Sequence, residues 1–215
     1  MKYRLNVFAC LFVAGLMAGL PAQAQQLAGQ VERQKGAASR SAGAGTVDLV
    51  QGAQVYVGDE IRTGPGARLQ IRFDDQSMMT LGEGARITID QLVYNPDGES
   101  SQALGIAKGV FRFASGQIGK LAPGNVSVTT PVATIGIRGT VFLGGELTVG
   151  MPPGQPHYGF QITEGAIAVI APGGSVVLDE PGEGTFLPLG RVAAPTPPRQ
   201  WTEEEAAEAE QAVAF

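Results

Sequence analysis

Apolar and polar residues alternate with a period of two along most of the chain, from about Gln30 to Leu189. In the stretch RLQIRF, Arg68 to Phe73, every second residue is apolar, so the apolar side chains share one face of an extended strand. Glycine-rich turns separate such runs, and no part of this region has the 3.6-residue period of an amphipathic helix. The pattern predicts an all-β domain, built as a two-sheet sandwich or a jelly roll.

The same pattern predicts two local features of the strands. The polar run at Asp74, Asp75 and Gln76 separates two alternating segments and predicts the turn of a hairpin. Further along the chain the alternation slips by one position near Gln91, which predicts a β-bulge there.

An internal similarity links two segments that lie 56 residues apart. LGIAKGVFRF, which begins at Leu104, matches FQITEGAIAV, which begins at Phe160, and the match aligns Gly109 with Gly165. In both segments an apolar run meets a charged residue and a glycine, which predicts a tight turn or a bulge. Two copies are too few for a stacked-repeat architecture, so a sandwich or jelly roll remains the expectation.

The composition changes after Leu189. Residues 191–200 contain the proline-rich stretch APTPPR and are expected to form an extended linker. Residues 201–215 are acidic and rich in alanine, and Thr202 and Glu205 have the spacing of a capping box at the start of a short helix. Such a helix is marginally stable alone, and we expect residues 191–215 to lie outside the β domain.

The first 24 residues have the organisation of a secretory signal peptide. Lys2 and Arg4 precede an apolar run, and Ala22 and Ala24 supply the small residues of a cleavage site. We expect cleavage after Ala24, a periplasmic or secreted product, and a mature β domain at residues 25–190. No later stretch has the length and hydropathy of a membrane span.

Charge and cysteine content narrow the classes of function. The chain carries a formal net charge of −5, and cleavage of the leader removes two of its basic residues. An acidic chain disfavours nucleic acid as a partner, because phosphate backbones bind to cationic surfaces. Cys10 is the single cysteine and lies in the leader, so the mature chain has no thiol for a disulfide, a metal site or nucleophilic catalysis.

The sequence contains no residue pattern of an enzyme or of a cofactor site. His157 stands in a proline-rich loop, where a surface role is favoured over metal binding or acid–base chemistry. Asp74, Asp75 and Asp90 are the best candidates for a hydrolase carboxylate pair, and the first two are also weak candidates for calcium ligands. Carboxylates at turns and strand ends are ordinary turn-forming residues, so we predict no catalytic residue, metal or cofactor.

Four short motifs follow one another in the central part of the chain. They are GDEIRT (Gly58 to Thr63), a hairpin segment (Arg68 to Leu81), GVFRF (Gly109 to Phe113) and TPVATIGIRGTVF (Thr130 to Phe142). Together they resemble the periplasmic domains of the FecR family over about residues 45–180, and the resemblance implies a β domain. In the founding members, this domain is the periplasmic half of a regulator that senses an outer-membrane siderophore transporter. A transmembrane helix joins it there to a cytoplasmic anti-sigma segment, whereas this chain is expected to begin with a signal peptide.

Arg138 is the most unusual residue of these motifs, because it interrupts an apolar strand. Strict alternation places it with Thr140 on the polar face of that strand. The resemblance puts the acidic turn of Asp59 and Glu60 in the same domain, and a guanidinium can bridge a carboxylate and backbone carbonyls. We expect a structural clamp, with a ligand-contacting arginine as the alternative. The candidate structural or binding residues are Asp59, Glu60, Thr63, Arg138, Gly139 and Thr140.

The sequence therefore favours binding over catalysis. The expected function is that of a non-catalytic exported protein that binds another cell-envelope protein through an exposed strand or loop, in a signalling or scaffold role. The alternative is a glycan-binding or small-ligand-binding jelly roll. That class usually displays aromatic platforms, of which the mature chain offers few.

Overall fold

The architecture comes from a computed structural model, which describes residues 25–42, 45–150, 157–190 and 192–215. The expected signal peptide, residues 1–24, lies outside the described residues. Within the described ranges, no helix combines the length and the apolar character that crossing a membrane would require.

Sixteen strands and two helices follow one another in this part of the chain. The strands are β1 (Leu27–Lys35), β2 (Ala38–Ala42), β3 (Gly45–Asp48), β4 (Gln54–Tyr56), β5 (Glu60–Thr63), β6 (Arg68–Phe73), β7 (Met78–Leu81), β8 (Arg86–Val93), β9 (Ser101–Lys108), β10 (Phe111–Ala114), β11 (Val126–Thr129), β12 (Thr134–Leu147), β13 (His157–Ala171), β14 (Gly174–Leu178), β15 (Glu183–Pro188) and β16 (Arg199–Gln200). The helices are α1 (Gln117–Leu121) and α2 (Glu203–Val213).

All sixteen strands belong to one hydrogen-bonded sheet. Its main path runs β3-β2-β5-β8-β9-β11-β12-β10-β7-β6-β1-β4. From β12 the sheet branches through β13, which also pairs with β14 and β15, and β16 extends β15. The pairing of β9 with β11 is parallel, and the other pairings are antiparallel. The predicted all-β class is confirmed, and the layers expected of a sandwich are parts of one sheet that curls around its core.

The core forms from the alternating positions of the strands. In β6 the apolar residues Leu69, Ile71 and Phe73 are buried, as the period-two pattern predicts. At the centre, Phe142 packs edge to face with Phe111 at 5.7 Å between ring centroids and lies 6.0 Å from the ring of Phe113. Burial of an aromatic side chain of this size contributes about 2 kcal/mol of stability.

The predicted local irregularities of the strands are present. β6 and β7 form a hairpin whose turn includes Asp74 and Gln76, and Gln76 adopts a positive φ of 67°. The pairing of β8 with β9 shifts register between Ile89 and Gln91, so the predicted bulge is confirmed.

The two aligned glycines occupy the two kinds of irregularity that the internal similarity predicts. Gly109 has a φ of 94° in the tight connection between β9 and β10. Gly165 has a φ of 78° inside β13, opposite a register shift in β12. A Cβ atom at Gly165 would collide with the carbonyl oxygen of Gly139, so the two chains approach too closely there for a side chain.

The C-terminal region docks on the β domain, which differs from the expected tail outside the fold. Trp201 is 8 % exposed, and its ring stacks on Phe186 with 4.9 Å between centroids. Two glycines make the space for it: a Cβ atom at Gly184 would collide with the indole nitrogen, and one at Gly159 would lie 2.8 Å from the ring. The indole therefore buries apolar area in a socket whose shape the sequence pattern does not announce.

α2 begins with the predicted capping box, in which the Thr202 hydroxyl accepts from the Glu205 N–H and the Glu205 carboxylate accepts from the Thr202 N–H. Its narrow apolar face, Ala209 and Val213, packs on Leu143 of β12. Leu143 points to the outer face of its strand, where it would be exposed to solvent, and α2 buries it. This burial explains why a helix that is marginal alone is ordered here.

Candidate functional site

Asp59 belongs to a buried ion pair, and its partner is Arg40 of β2. The Asp59 carboxylate is fully buried, lies 3.1 Å from the Arg40 guanidinium and accepts from the N–H of Tyr56 at 2.9 Å. The Arg40 side chain is 16 % exposed and lies over the ring of Tyr56. Glu60, the next residue, points outward and pairs with Arg62 at the surface.

Thr63 joins two loops through its side chain. Its buried hydroxyl donates to the carbonyl of Gly82 at 2.7 Å and accepts from the N–H of Ala85 at 2.8 Å. Asp59 and Thr63, at the two ends of the acidic motif, are therefore polar residues that satisfy a buried charge and buried backbone groups.

Arg138, Gly139 and Thr140 form a bulge in the long pairing of β12 with β13. The register shifts between Arg138 and Val141, and Gly139 has a φ of 59°. Thr140 turns inward and is buried, so strict alternation was wrong in placing it on the same face as Arg138. Its hydroxyl donates to the carbonyl of Ala166 at 2.6 Å and accepts from the N–H of the same residue at 3.1 Å.

Arg138 is not the clamp of the acidic turn, which corrects the structural expectation from the sequence. It is exposed, and within the described residues no carboxylate lies within 4.0 Å of its guanidinium. Asp59 immediately precedes β5, which begins at Glu60, and β5 is separated from β12 by β8, β9 and β11, so four strand spacings, roughly 19 Å along the sheet, lie between them. The clamp exists, but Arg40 on the adjacent strand β2 provides it.

Arg138 lines a shallow groove of about 390 Å³ on the outer face of β12, β13 and β14. The floor consists of small residues, because Gly136 pairs with Ala168 and Arg138 pairs with Ala166. Val177, which pairs with Ala168 on the other side, forms a wall and is 57 % exposed. This outer face, lined by Gly136, Arg138, Ala166, Ala168 and Val177, is called the β12–β14 groove below.

The strand that borders this groove has an open edge. In the described part of the chain, β14 pairs with β13 alone. An edge strand presents unpaired N–H and C=O groups that can add a further strand. Ile170 of β13, 53 % exposed, adds apolar surface beside it. The groove therefore combines apolar area, one cation and a free backbone edge, which together suit an extended peptide segment.

A second and larger cleft, about 650 Å³, lies beneath the proline-rich segment and includes His157. The His157 ring is half-buried and lies 6.1 Å from that of Phe186. Phe186 also stacks on Trp201 and carries the Arg199 guanidinium 5.3 Å from its centroid. Because neighbours of the same chain already engage this ring, it is a poor platform for a sugar.

Arg199 and Glu205 close one side of that cleft through a two-pronged ion pair with contacts of 2.8 and 2.6 Å. The hydrogen bond from Arg199 lowers the pKa of the Glu205 carboxyl below its ordinary value of 4.5, against the opposing effect of burial. The same hydrogen bond raises the pKa of the Arg199 guanidinium. The pair fastens the proline-rich segment to the start of α2.

The candidate hydrolase carboxylates do not converge. Asp74 and Asp90 are exposed, whereas Asp75 is fully buried. One Asp75 oxygen accepts from the N–H and the hydroxyl of Ser77 at 3.0 and 2.5 Å, and the other lies 3.4 Å from the N–H of Ile118. Asp75 thus fastens its hairpin to α1. Over the described ranges, no group of three His, Cys, Asp or Glu side chains is arranged to hold a metal ion.

Sequence reasoning missed Arg40 and the groove residues. Arg40 lies in a short stretch of small polar residues that carries no family motif. The groove had a weak signal, because Ile170 and Val177 are apolar where outward positions of a strand are usually polar. Only the pairing of the strands shows that both border one surface.

Comparisons with known proteins agree with the fold. The family model described as "FecR protein" matches residues 59–175, more than half of the chain. No curated protein matches. Two crystal structures, at 1.65 and 2.50 Å resolution, are similar, and each is described as a proposed anti-sigma factor from Parabacteroides distasonis ATCC 8503.

The similarity to those structures is one of fold. The TM-scores are 0.52 and 0.51 at 13 % identity, and each alignment covers 69 % of this chain and 62 % of the solved chain. The chain thus spans less than two thirds of the solved chains. The family match, which covers the acidic turn, the hairpin, the bulge and the groove residues of β12 and β13, assigns the sequence: the chain belongs to the FecR family.

Proposed function

We propose that this protein is an exported, non-catalytic regulatory protein that binds another protein of the cell envelope through the β12–β14 groove. The observation that carries the proposal is the groove itself, where small residues, an exposed Arg138 and the open edge of β14 share one surface. Membership of the FecR family supports a regulatory role, and the anti-sigma description of the similar structures points in the same direction.

The partner segment is an extended strand with at least one acidic side chain. The segment would first cross β13, where its carboxylate would meet Arg138 and its apolar side chains would cover Ile170 and Val177, and its backbone would then pair with the edge of β14. Arg138 is available for this because it has no carboxylate partner of its own among the described residues. A guanidinium and a carboxylate form two parallel hydrogen bonds, which give both strength and orientation.

Site-specific cross-linking tests the groove. A photoreactive amino acid at position 177 is expected to capture one envelope protein, whereas the same group at Val93, 40 % exposed on β8, is not. Capture is expected to be lost in Arg138→Glu, which reverses the charge, and in Gly136→Leu, which fills the floor. A Cβ atom at Gly136 meets only the Cβ of Ala168, at 3.9 Å, so this variant is expected to fold, which its circular dichroism checks.

Arg86→Glu is the matched control, because Arg86 is an exposed arginine on β8 at a distance from the groove. Equal capture at positions 93 and 177, or equal loss in Arg86→Glu and Arg138→Glu, would contradict a binding role of the groove.

Export is tested separately. The A-Q-A sequence that ends at Ala24 supports cleavage there, so the N-terminus of the exported protein is expected at Gln25 or within two residues of it. Recovery of the uncleaved chain in the inner membrane would contradict export by a cleaved signal peptide.

A further inference from the structure

A row of polar side chains crosses the outer face of β1, β6, β7 and β10, on a different part of the sheet from the β12–β14 groove. Arg33 pairs with Gln70, Gln70 with Thr80, and Thr80 with Arg112. Directly opposed residues on neighbouring strands project from the same face, so the four side chains form one line. The two arginines stand at its ends, three strand spacings or about 14 Å apart at their Cα atoms.

The end of α2 turns this flat row into a cleft. Leu143 of β12 and the helix-end residues Val213 and Phe215 form walls around the four polar side chains, and the enclosed volume is about 410 Å³. The Glu208 carboxylate holds the helix in place by accepting from the N–H groups of Thr148 and Val149, each at 2.9 Å. The cleft therefore exists because the C-terminal region is docked.

Two arginines of the cleft, Arg33 and Arg112, have no ion-pair partner among the described residues. Over the described residues, neither Arg33 nor Arg112 has a carboxylate within 4.0 Å, whereas Arg40, Arg72 and Arg199 each have one. The guanidinium carbon of Arg33 lies 4.1 Å from the ring centroid of Phe215, which orients the group without neutralising it. One acidic residue, the exposed Glu210, stands on the rim.

The floor adds a hydrogen-bond donor. The Thr80 side chain is nearly buried, and its hydroxyl oxygen accepts from the Gln70 amide at 3.1 Å. The hydroxyl proton can therefore be directed to a ligand. Two guanidinium groups and a hydroxyl give a lining richer in donors than in acceptors.

We propose that this cleft binds a phosphate group carried by a ligand of about the size of a sugar. Arginine matches phosphate because its planar group donates two parallel hydrogen bonds to two phosphate oxygens. A volume of about 410 Å³ exceeds that of a phosphate alone and leaves room for an attached ring. The same phosphate chemistry occurs in free sugar phosphates and in phosphorylated head groups of the membrane, and the two sources are separated below.

Titration of the full chain with glucose 1-phosphate at low ionic strength tests the proposal, with chemical shifts of the arginine side chains as the readout. Binding is expected to shift the signals of Arg33 and Arg112 and to weaken at least tenfold in Arg112→Gln and in Arg33→Gln. Arg86→Gln removes an exposed arginine from β8 and is expected to change nothing. Glucose is expected not to bind.

The proposal would be overturned by equal binding in Arg112→Gln, by equal weakening in Arg86→Gln, or by tighter binding of glucuronate than of glucose 1-phosphate. Vesicles of phosphatidylcholine with and without phosphatidic acid separate the two sources. Binding to the phosphatidic acid vesicles that depends on Arg112 supports a membrane head group, and binding of the free sugar phosphate alone supports a soluble ligand. Absence of both kinds of binding overturns the site.

A second readout uses the dependence of the cleft on α2. The readout is the melting temperature of the chain, because a ligand that binds only the folded, docked state raises it. Glu208→Ala removes the contacts that hold the helix and is expected to weaken glucose 1-phosphate binding although it leaves both arginines in place. Unchanged affinity in this variant would contradict the docked helix as a wall of the site.

Discussion

At the scale of single residues, the polar side chains of the family motifs mostly satisfy backbone groups that irregular geometry leaves open. Thr140 bonds to both backbone groups of Ala166 at the bulge, and Thr63 bridges Gly82 and Ala85. The side chain of Arg138, in the same motif as Thr140, is exposed and satisfies no such backbone group among the described residues. The last motif thus contains a buried residue with a structural role, Thr140, two positions after an exposed surface residue, Arg138.

Thr140→Val and Arg138→Ala are expected to differ in their effect on stability. Thr140→Val leaves the carbonyl and the N–H of Ala166 without their buried partner, which costs about 2 kcal/mol. Arg138→Ala removes an exposed side chain without an ion pair and is expected to change the free energy of unfolding by less than about 0.5 kcal/mol. Urea unfolding measures both. A cost above about 1 kcal/mol for Arg138→Ala would restore the clamp interpretation of this arginine.

The buried pair of Asp59 and Arg40 supplies the second residue-scale prediction. Arg40→Ala leaves a fully buried carboxylate without its counter-charge and is expected to cost about 3 kcal/mol. The double variant Arg40→Ala with Asp59→Ala is expected to cost clearly less than the sum of the single variants, because the two residues interact directly. Additive costs in denaturant unfolding would show that the pair does not act as a unit.

At the scale of elements, the C-terminal region is part of the domain because its contacts are long-range. β16 pairs with β15, Trp201 fills a socket beside Phe186, and α2 covers Leu143. Each contact buries a small area, and together they hold on the β domain a region that its composition suggests would be a solvated tail. The proline-rich segment therefore connects β15 to β16 and the docked helix α2.

Trp201→Ala is expected to destabilise the protein by about 3 kcal/mol, because a buried indole is lost and its socket stays empty. Val192→Ala, in the same segment but 77 % exposed, is expected to change stability by less than about 0.5 kcal/mol. Thermal unfolding of both variants measures the difference. Similar melting temperatures for Trp201→Ala and the unchanged protein would mean that the docking of Trp201 contributes nothing to stability.

The attachment of α2 is expected to depend on pH. The pKa of the Glu205 carboxyl is lowered in the folded state, so its stabilising effect is complete above the ordinary value of 4.5 and is lost as the pH falls below it. Fluorescence of Trp201, the single tryptophan, is expected to report partial release of the region as the pH falls below 4.5. Glu205→Gln is expected to remove this transition, and Glu203→Gln, in the exposed first turn, to retain it. A transition that persists unchanged in Glu205→Gln would assign it to another group.

At the scale of the whole molecule, one curled sheet connects every described strand and encloses one large core, and a smaller apolar cluster joins α2 and Trp201 to its outer side. Phe142 on β12 touches Phe111 and Phe113 on β10, and β12 in turn carries β13 and the docked helix. An interior strand of the main path cannot leave this sheet without exposing its neighbours on both sides. The sheet should therefore behave as one cooperative unit.

Unfolding by urea at neutral pH is expected to be two-state, with the fluorescence of Trp201 and the far-ultraviolet circular dichroism of the strands changing at the same denaturant concentration. The reason is that Trp201 packs on β15, which belongs to the same sheet. An earlier midpoint for fluorescence would show that the C-terminal region unfolds as a separate unit.

Many local features of the fold were predictable, and the candidate site was predictable only in part. The hairpin at Asp74, the bulge near Gln91 and the capping box at Thr202 depend on a few consecutive residues, and all three are present. The partner of Asp59 was not predictable, because Arg40 and Arg138 are both arginines in β segments and nothing local distinguishes them. The choice depends on which strand lies beside β5.

The sequence by itself determined the β class, the inward face of regular strands such as β6, and the FecR family. Alternation shows which face of a strand is buried, and the family motifs consist of a few consecutive residues each. Only the tertiary structure decided which strands are neighbours, where Trp201 docks and which residues line the two outer surfaces. Backbone hydrogen bonds between strands are the same for every side chain, so strand order follows from the packing of the whole core. The surroundings of two arginines therefore depend on the tertiary structure: Arg138 lies in the groove beside the open edge of β14, and Arg112 lies in the cleft beneath the end of α2.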